Sequence, residues 1–264
     1  MNSVSLLRRP GLLIAAASLA SLILVVVSIR ASWVSVKSVA PPQTTLKIRT
    51  PELKMEIASL RKTGRNLEIG FRNGDNKGVS AWVVVVEGRI YIEDMIYSSN
   101  GMLNPGEVKS MQIELSSPAA ALPEIRVDTL VFEGQKYLGA PHWALDVFYR
   151  RAGTRRQLAS AWPYLARLIA SLDGWPDQAY AAQHRQLREV MALLSTDKPS
   201  NESPSYAVGL QNGKSILERL LTPVPASING ADRQALKASL TAIQQEYLTL
   251  MNRLGKGTLD RFVS

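Results

Sequence analysis

Four arginines, Arg150, Arg151, Arg155 and Arg156, fall within seven residues near the middle of this 264-residue chain and form its densest chemical signal. Guanidinium forks match the planar oxygen pairs of phosphate and carboxylate groups, so the cluster is read as an anionic-surface contact. Three other groups imitate catalytic signatures and fall short of them. Gly213-Lys214-Ser215 has the tail of a phosphate-binding loop, but such a loop needs a glycine with four residues between it and the Gly-Lys pair. That position is Val208, and Gly209 comes one residue late. His142 and His184 are the two histidines of the chain, and neither has the spaced partner of an H-x-x-x-H or H-E-x-x-H metal site. Glu93-Asp94 is an adjacent acid pair, yet neighbours on a strand point to opposite faces and cannot readily share one proton. Cysteine is absent, which removes disulfides and thiolate chemistry, and neither a G-x-S-x-G elbow nor a G-x-G-x-x-G loop occurs. No catalytic residue, metal ligand, cofactor-binding residue or cofactor is therefore assigned. Carboxylates assembled from distant loops into a hydrolase are the enzymatic alternative.

The elements that would carry these residues begin with Gly11 to Ile29, nineteen residues without a charge or a proline. As a helix this stretch is about 28 Å long, close to the hydrocarbon thickness of a bilayer. It is read as an uncleaved signal-anchor, a single span with the bulk of the chain outside the cytoplasm. A cleaved signal, leaving a secreted or periplasmic binding protein, is the alternative, because Arg8 and Arg9 suit either. The net charge of +9 divides unevenly: +6 over residues 1–50, −2 over 51–140 and +5 over 141–264. Basic and aromatic residues are not interleaved as a stacking surface requires, so nucleic acid is not an expected partner.

From Leu53 to Phe132 the period is two, with turn signals about every ten residues. Leu67, Ile69 and Phe71 alternate with polar neighbours, Val79 to Val86 is apolar on both faces, and Glu87-Gly88 makes a tight hairpin into Arg89 to Tyr97. Val108 to Leu115 and Ile125 to Phe132 complete the set, and Thr44 to Thr50 is a stalk or a first edge strand. Asn104-Pro105-Gly106-Glu107, a turn running into an alternating strand, resembles the lead-in to a late strand of bacterial immunoglobulin-like modules. That resemblance covers about eighty residues and implies a fold only.

Past Gly139 the period is helical. His142 to Leu172 reads as one long helix or two, weakened at Gly153 and Pro163. Two further helices follow. The last one, from about Ala231, carries Leu236, Leu240, Ile243, Tyr247, Leu250 and Leu254 on one seam. The expected fold is thus α+β: an N-terminal transmembrane helix (1–37), a linker (38–52), an antiparallel immunoglobulin-like β-sandwich (53–140) and a helical region of three to four helices (141–264). The expected role is a membrane-anchored envelope protein of structural or binding type, with a protein partner at a sheet edge or along the C-terminal helix.

Overall fold

In the computed structural model the described residues are 46–49, 52–98, 100–118, 122–172, 174, 176–228 and 232–257. All belong to one compact unit, residues 44–264. Strands β1 (Leu46–Ile48), β4 (Val79–Val86), β5 (Arg89–Asp94), β7 (Ile125–Phe132) and β8 (Tyr137–Gly139) make one sheet. Its order is β1-β7-β4-β5, with β8 also paired to β7. Strands β2 (Met55–Thr63), β3 (Asn66–Asn73) and β6 (Val108–Glu114) make the other, in the order β2-β3-β6. The inward residues of both sheets share one apolar core, in which the Phe71 and Trp82 rings lie 5.5 Å apart. β4 is buried on both faces because β5 and β7 flank it and helix α1 covers its outer side. The alternation of β3 is equally plain, since Leu67, Ile69 and Phe71 are fully buried.

An antiparallel immunoglobulin-like sandwich is not what forms. Both sheets are open, and the larger one is mixed, because β1 runs parallel to β7. Period and turn chemistry specify that strands exist; they do not specify which edge a distant three-residue strand will join. β8 escaped the sequence pattern for a related reason. It is short, and it ends on Gly139, whose φ of +101° and approach to the Asp128 carbonyl leave no room for a Cβ.

The helices are α1 (Pro141–Ala170), α2 (Asp177–Leu193), α3 (Pro204–Leu221) and α4 (Arg233–Gly257). α1 is a single helix through both of its weak points. Pro163 and Ala159, the residue whose carbonyl loses its donor, are both exposed, so water can take the orphaned acceptor. All six seam residues of α4 are buried in the helical core, beside Leu158, Leu165 and Leu217. Tyr247 on that seam stacks on Trp162 at 4.5 Å and donates to the Leu158 carbonyl at 2.9 Å. The C-terminal seam is thus packed within its own chain.

The membrane readings are corrected with the fold. Among the described residues no helix is long and apolar enough to cross a membrane, and Gly11 to Ile29 lies outside the described residues. The described structure therefore gives no support to a membrane-anchored envelope role, to a single span as partner, or to a single-pass location with the bulk extracytoplasmic.

Candidate functional site

α1 joins the larger sheet through one polar interlock. Arg151 is fully buried and donates through Nε to Asp94 Oδ2 at 2.9 Å and through Nη2 to Asp94 Oδ1 at 2.8 Å. The same Nη2 reaches the Ser80 carbonyl at 3.2 Å and its Oγ at 3.1 Å. Burial opposes the Arg151 charge, but the Asp94 carboxylate and its hydrogen bonds outweigh that and raise the guanidinium pKa. Asp94 also caps the short 3-10 turn Met95–Tyr97, accepting from the Ile96 N–H at 3.2 Å. This turn pushes Ile96 into the helical core, and the Tyr97 hydroxyl meets Thr154 Oγ1 at 3.1 Å. Burial raises the Tyr97 pKa.

The last turns of α4 close the other side. Arg253 donates to the Ser98 carbonyl at 2.6 Å, and its side chain passes so near Gly101 that a Cβ there would lie 2.8 Å from its Nε. Between the interlock and α4 lies a pocket of about 290 Å³. Its apolar wall is Ile96, Met102 and Phe132; Ser80, Thr249 and Asn252 add neutral polar groups; Arg151, Arg253, Lys256 and Glu133 bring charge. Arg151 is neutralised by Asp94, so the two remaining cations outnumber Glu133 and leave one net positive charge. The Ser80 hydroxyl donates to the Val131 carbonyl at 3.1 Å while Arg151 donates to it, which commits its oxygen to structure.

A larger groove of about 750 Å³ covers the half of the outer sheet face that α1 leaves open, beside His142 and Trp143. Its charges cancel among themselves. Asp128, buried, accepts from Arg49 at 2.7 Å and from Arg126 at 3.3 Å, and Lys47 pairs with Glu124 at 2.7 Å. The Glu87 carboxylate is occupied by the Ser116 hydroxyl and N–H, which hold its pKa below the usual range.

The four arginines of the sequence cluster do not converge. At about 100° per residue a helix turns them in different directions. Arg151 goes inside, Arg150 and Arg155 are half-buried with one guanidinium nitrogen each lacking a partner, and Arg156 is exposed. Gly213-Lys214-Ser215 lies within α3, where Gly213 packs against Gln157 and the Thr154 carbonyl of α1. His142 is exposed beside Trp143, and His184 is buried with Nε2 3.3 Å from the Val224 carbonyl, its pKa lowered by burial. Glu93 and Asp94 do face opposite ways: Asp94 turns to Arg151, and Glu93 pairs with Lys109 of the other sheet at 2.8 Å. Among the described residues no group of three or more His, Cys, Asp or Glu side chains is placed to hold a metal ion.

Sequence reasoning did not single out Arg253, Lys256, Ser80 or the Arg151–Asp94 pair. Thr249, Asn252, Arg253 and Lys256 share one face of α4 beside its apolar seam, and that polar stripe was the available signal. Comparison with protein-family models, with curated proteins and with solved structures gives no match for this chain.

Proposed function

We propose that the described body is a binding module, not a catalyst, and that the pocket between the larger sheet and α4 takes a small organic monoanion. The carrying observation is an apolar recess edged by cations with a single positive charge in excess. A polyphosphate would need more positive charge than the site offers, and a neutral apolar molecule would leave Lys256 without purpose. The acid group sits at Lys256, within the field of Arg253, and the apolar part lies against Met102 and Phe132. The size agrees, since small-molecule sites begin at roughly 300 Å³. Glu133 is the one carboxylate among the lining residues, and no base stands beside the Ser80 hydroxyl, which supports binding over hydrolysis.

Calorimetric titration of the full chain with octanoate and phenylacetate, against the corresponding amides, tests this reading. A hydrogen bond to a charged group contributes about 1.5–3 kcal/mol, so each acid binds about tenfold or more tighter than its amide. Lys256→Ala removes that difference without changing the thermal midpoint. Equal binding of acid and amide ends the proposal.

A further inference from the structure

We infer that β5 is a contact through which two copies of this chain pair, edge to edge, about Tyr91. β5 is the outermost strand of the larger sheet. The two-residue turn at Glu87 and Gly88, both at positive φ, makes Val86 and Arg89 the first hydrogen-bonded pair of the hairpin. The alternation that follows turns the N–H and C=O of Ile90 and Ile92 outward. Among the described residues nothing is hydrogen-bonded to these outward groups.

Edge strands are ordinarily blunted by shortness, bulges, proline or charge. β1 is three residues long, β2 carries a register shift between Ile57 and Ser59 and ends in Arg61 and Lys62, and β6 carries Lys109. β5 has an unbroken register against β4 and no proline, and Ile90, its second residue, is 46% exposed on an unpaired edge.

The sequence of this edge selects its own partner. Outward backbone groups must meet outward groups, so an antiparallel neighbour can shift only in steps of two residues. With Tyr91 opposite Tyr91, Ile90 exchanges main-chain hydrogen bonds with Ile92 of the second copy, and Arg89 faces Glu93 at both ends. Shifting either way loses the charge match, and parallel pairing, which sets an outward-facing residue beside an inward-facing one, never brings Arg89 opposite Glu93. In the single chain Glu93 is held by Lys109, and Arg89 reaches the Glu114 carbonyl only at 3.4 Å, so both charges already lie on the face that an opposite strand would share. The occupant is therefore a second copy, chosen by charge complementarity along Arg89-Ile90-Tyr91-Ile92-Glu93.

The chain has no cysteine, which makes Tyr91→Cys a clean probe. Directly opposed Cβ atoms lie about 4.5–5.5 Å apart, near enough for a disulfide with slight adjustment. Oxidation of the full-length variant is expected to give mostly covalent dimer, while Ala58→Cys, exposed on β2, gives none, because its thiols are not brought together by pairing at β5. Because Tyr91 also packs on the core, a second experiment stands apart from it. In analytical ultracentrifugation the parent chain sediments as a dimer, and Arg89→Glu and Glu93→Arg each sediment as monomers. Their mixture restores a dimer, since glutamates then face arginines throughout. A monomeric parent, unaffected single variants, or a mixture that fails to associate overturns the proposal.

Discussion

Two sides of α1 hold the molecule together by opposite means. Toward the larger sheet the contact is a charge: Arg151 reaches 57 positions back along the chain to Asp94, and to Ser80, with every contact directional and desolvated. Toward α3 the contact is an absence of side chains. A Cβ on Gly209 would lie 2.0 Å from the Arg150 carbonyl oxygen, and one on Gly153 would lie 2.2 Å from that of Tyr206. The first kind of joint fixes identity and register but depends on both members. The second tolerates no addition, because what it would meet is backbone. Thr154 links the two, with its Oγ1 within hydrogen-bonding distance of the Arg150 and Gly209 carbonyls and of the Tyr97 hydroxyl.

Removing one member of the buried pair has the largest expected effect. Arg151→Ala leaves Asp94 without its partner in a largely dry site, and should lower the unfolding free energy by about 3–5 kcal/mol. Replacing both, as Arg151→Met with Asp94→Leu, should recover most of that loss, because the desolvation penalty goes with the charges. Chemical denaturation of the parent, single and double variants measures both. A double variant as weak as the single would mean that the Asp94 cap on the Ile96 turn, and not the ion pair, holds this joint.

Gly209→Ala comes next. The added methyl must push α3 away from α1, at a cost of about 1–3 kcal/mol, and the same substitution at Gly255, where a Cβ meets nothing, should be neutral or better. If thermal melts of the two variants coincide, the close crossing is not a structural requirement.

The smallest effect belongs to the hydroxyl that spans both joints. Tyr97→Phe loses one hydrogen bond, about 0.5–1.5 kcal/mol. Its pH dependence has a definite sign. Burial raises the Tyr97 pKa above 10 in the folded state, so the neutral phenol's contribution is complete below pH 10 and is lost as pH rises beyond it. Tyr180 and Tyr247 add the same trend, each pushed up to about 12 by burial. Denaturation at pH 8 and again at pH 11 should therefore show the parent losing more stability than Tyr97→Phe. Equal losses would place the Tyr97 hydroxyl in water.

Much of the fold was legible in the residues themselves. Strict alternation in β3, two-sided burial in β4 and the 4-3-4-3-4 spacing of α4 describe local geometry, and local geometry needs no knowledge of the rest of the chain. The Glu87-Gly88 turn belongs to the same class, since positive φ at both residues follows from turn chemistry. The candidate site was scarcely legible. Arg151 looked like one of four equivalent surface cations, because proximity in sequence does not say which way each side chain turns on a helix.

The chain by itself determined which segments are strands and helices and which of their faces are apolar, for those properties repeat every two or 3.6 residues. Only the tertiary structure decided that β1 runs parallel to β7, that Asp94 and Arg151 share one dry contact, and that Arg253 and Lys256 come to edge a pocket with Phe132. Such meetings join residues tens to more than a hundred positions apart. They are fixed by how whole apolar faces stack together, which no local repeat encodes.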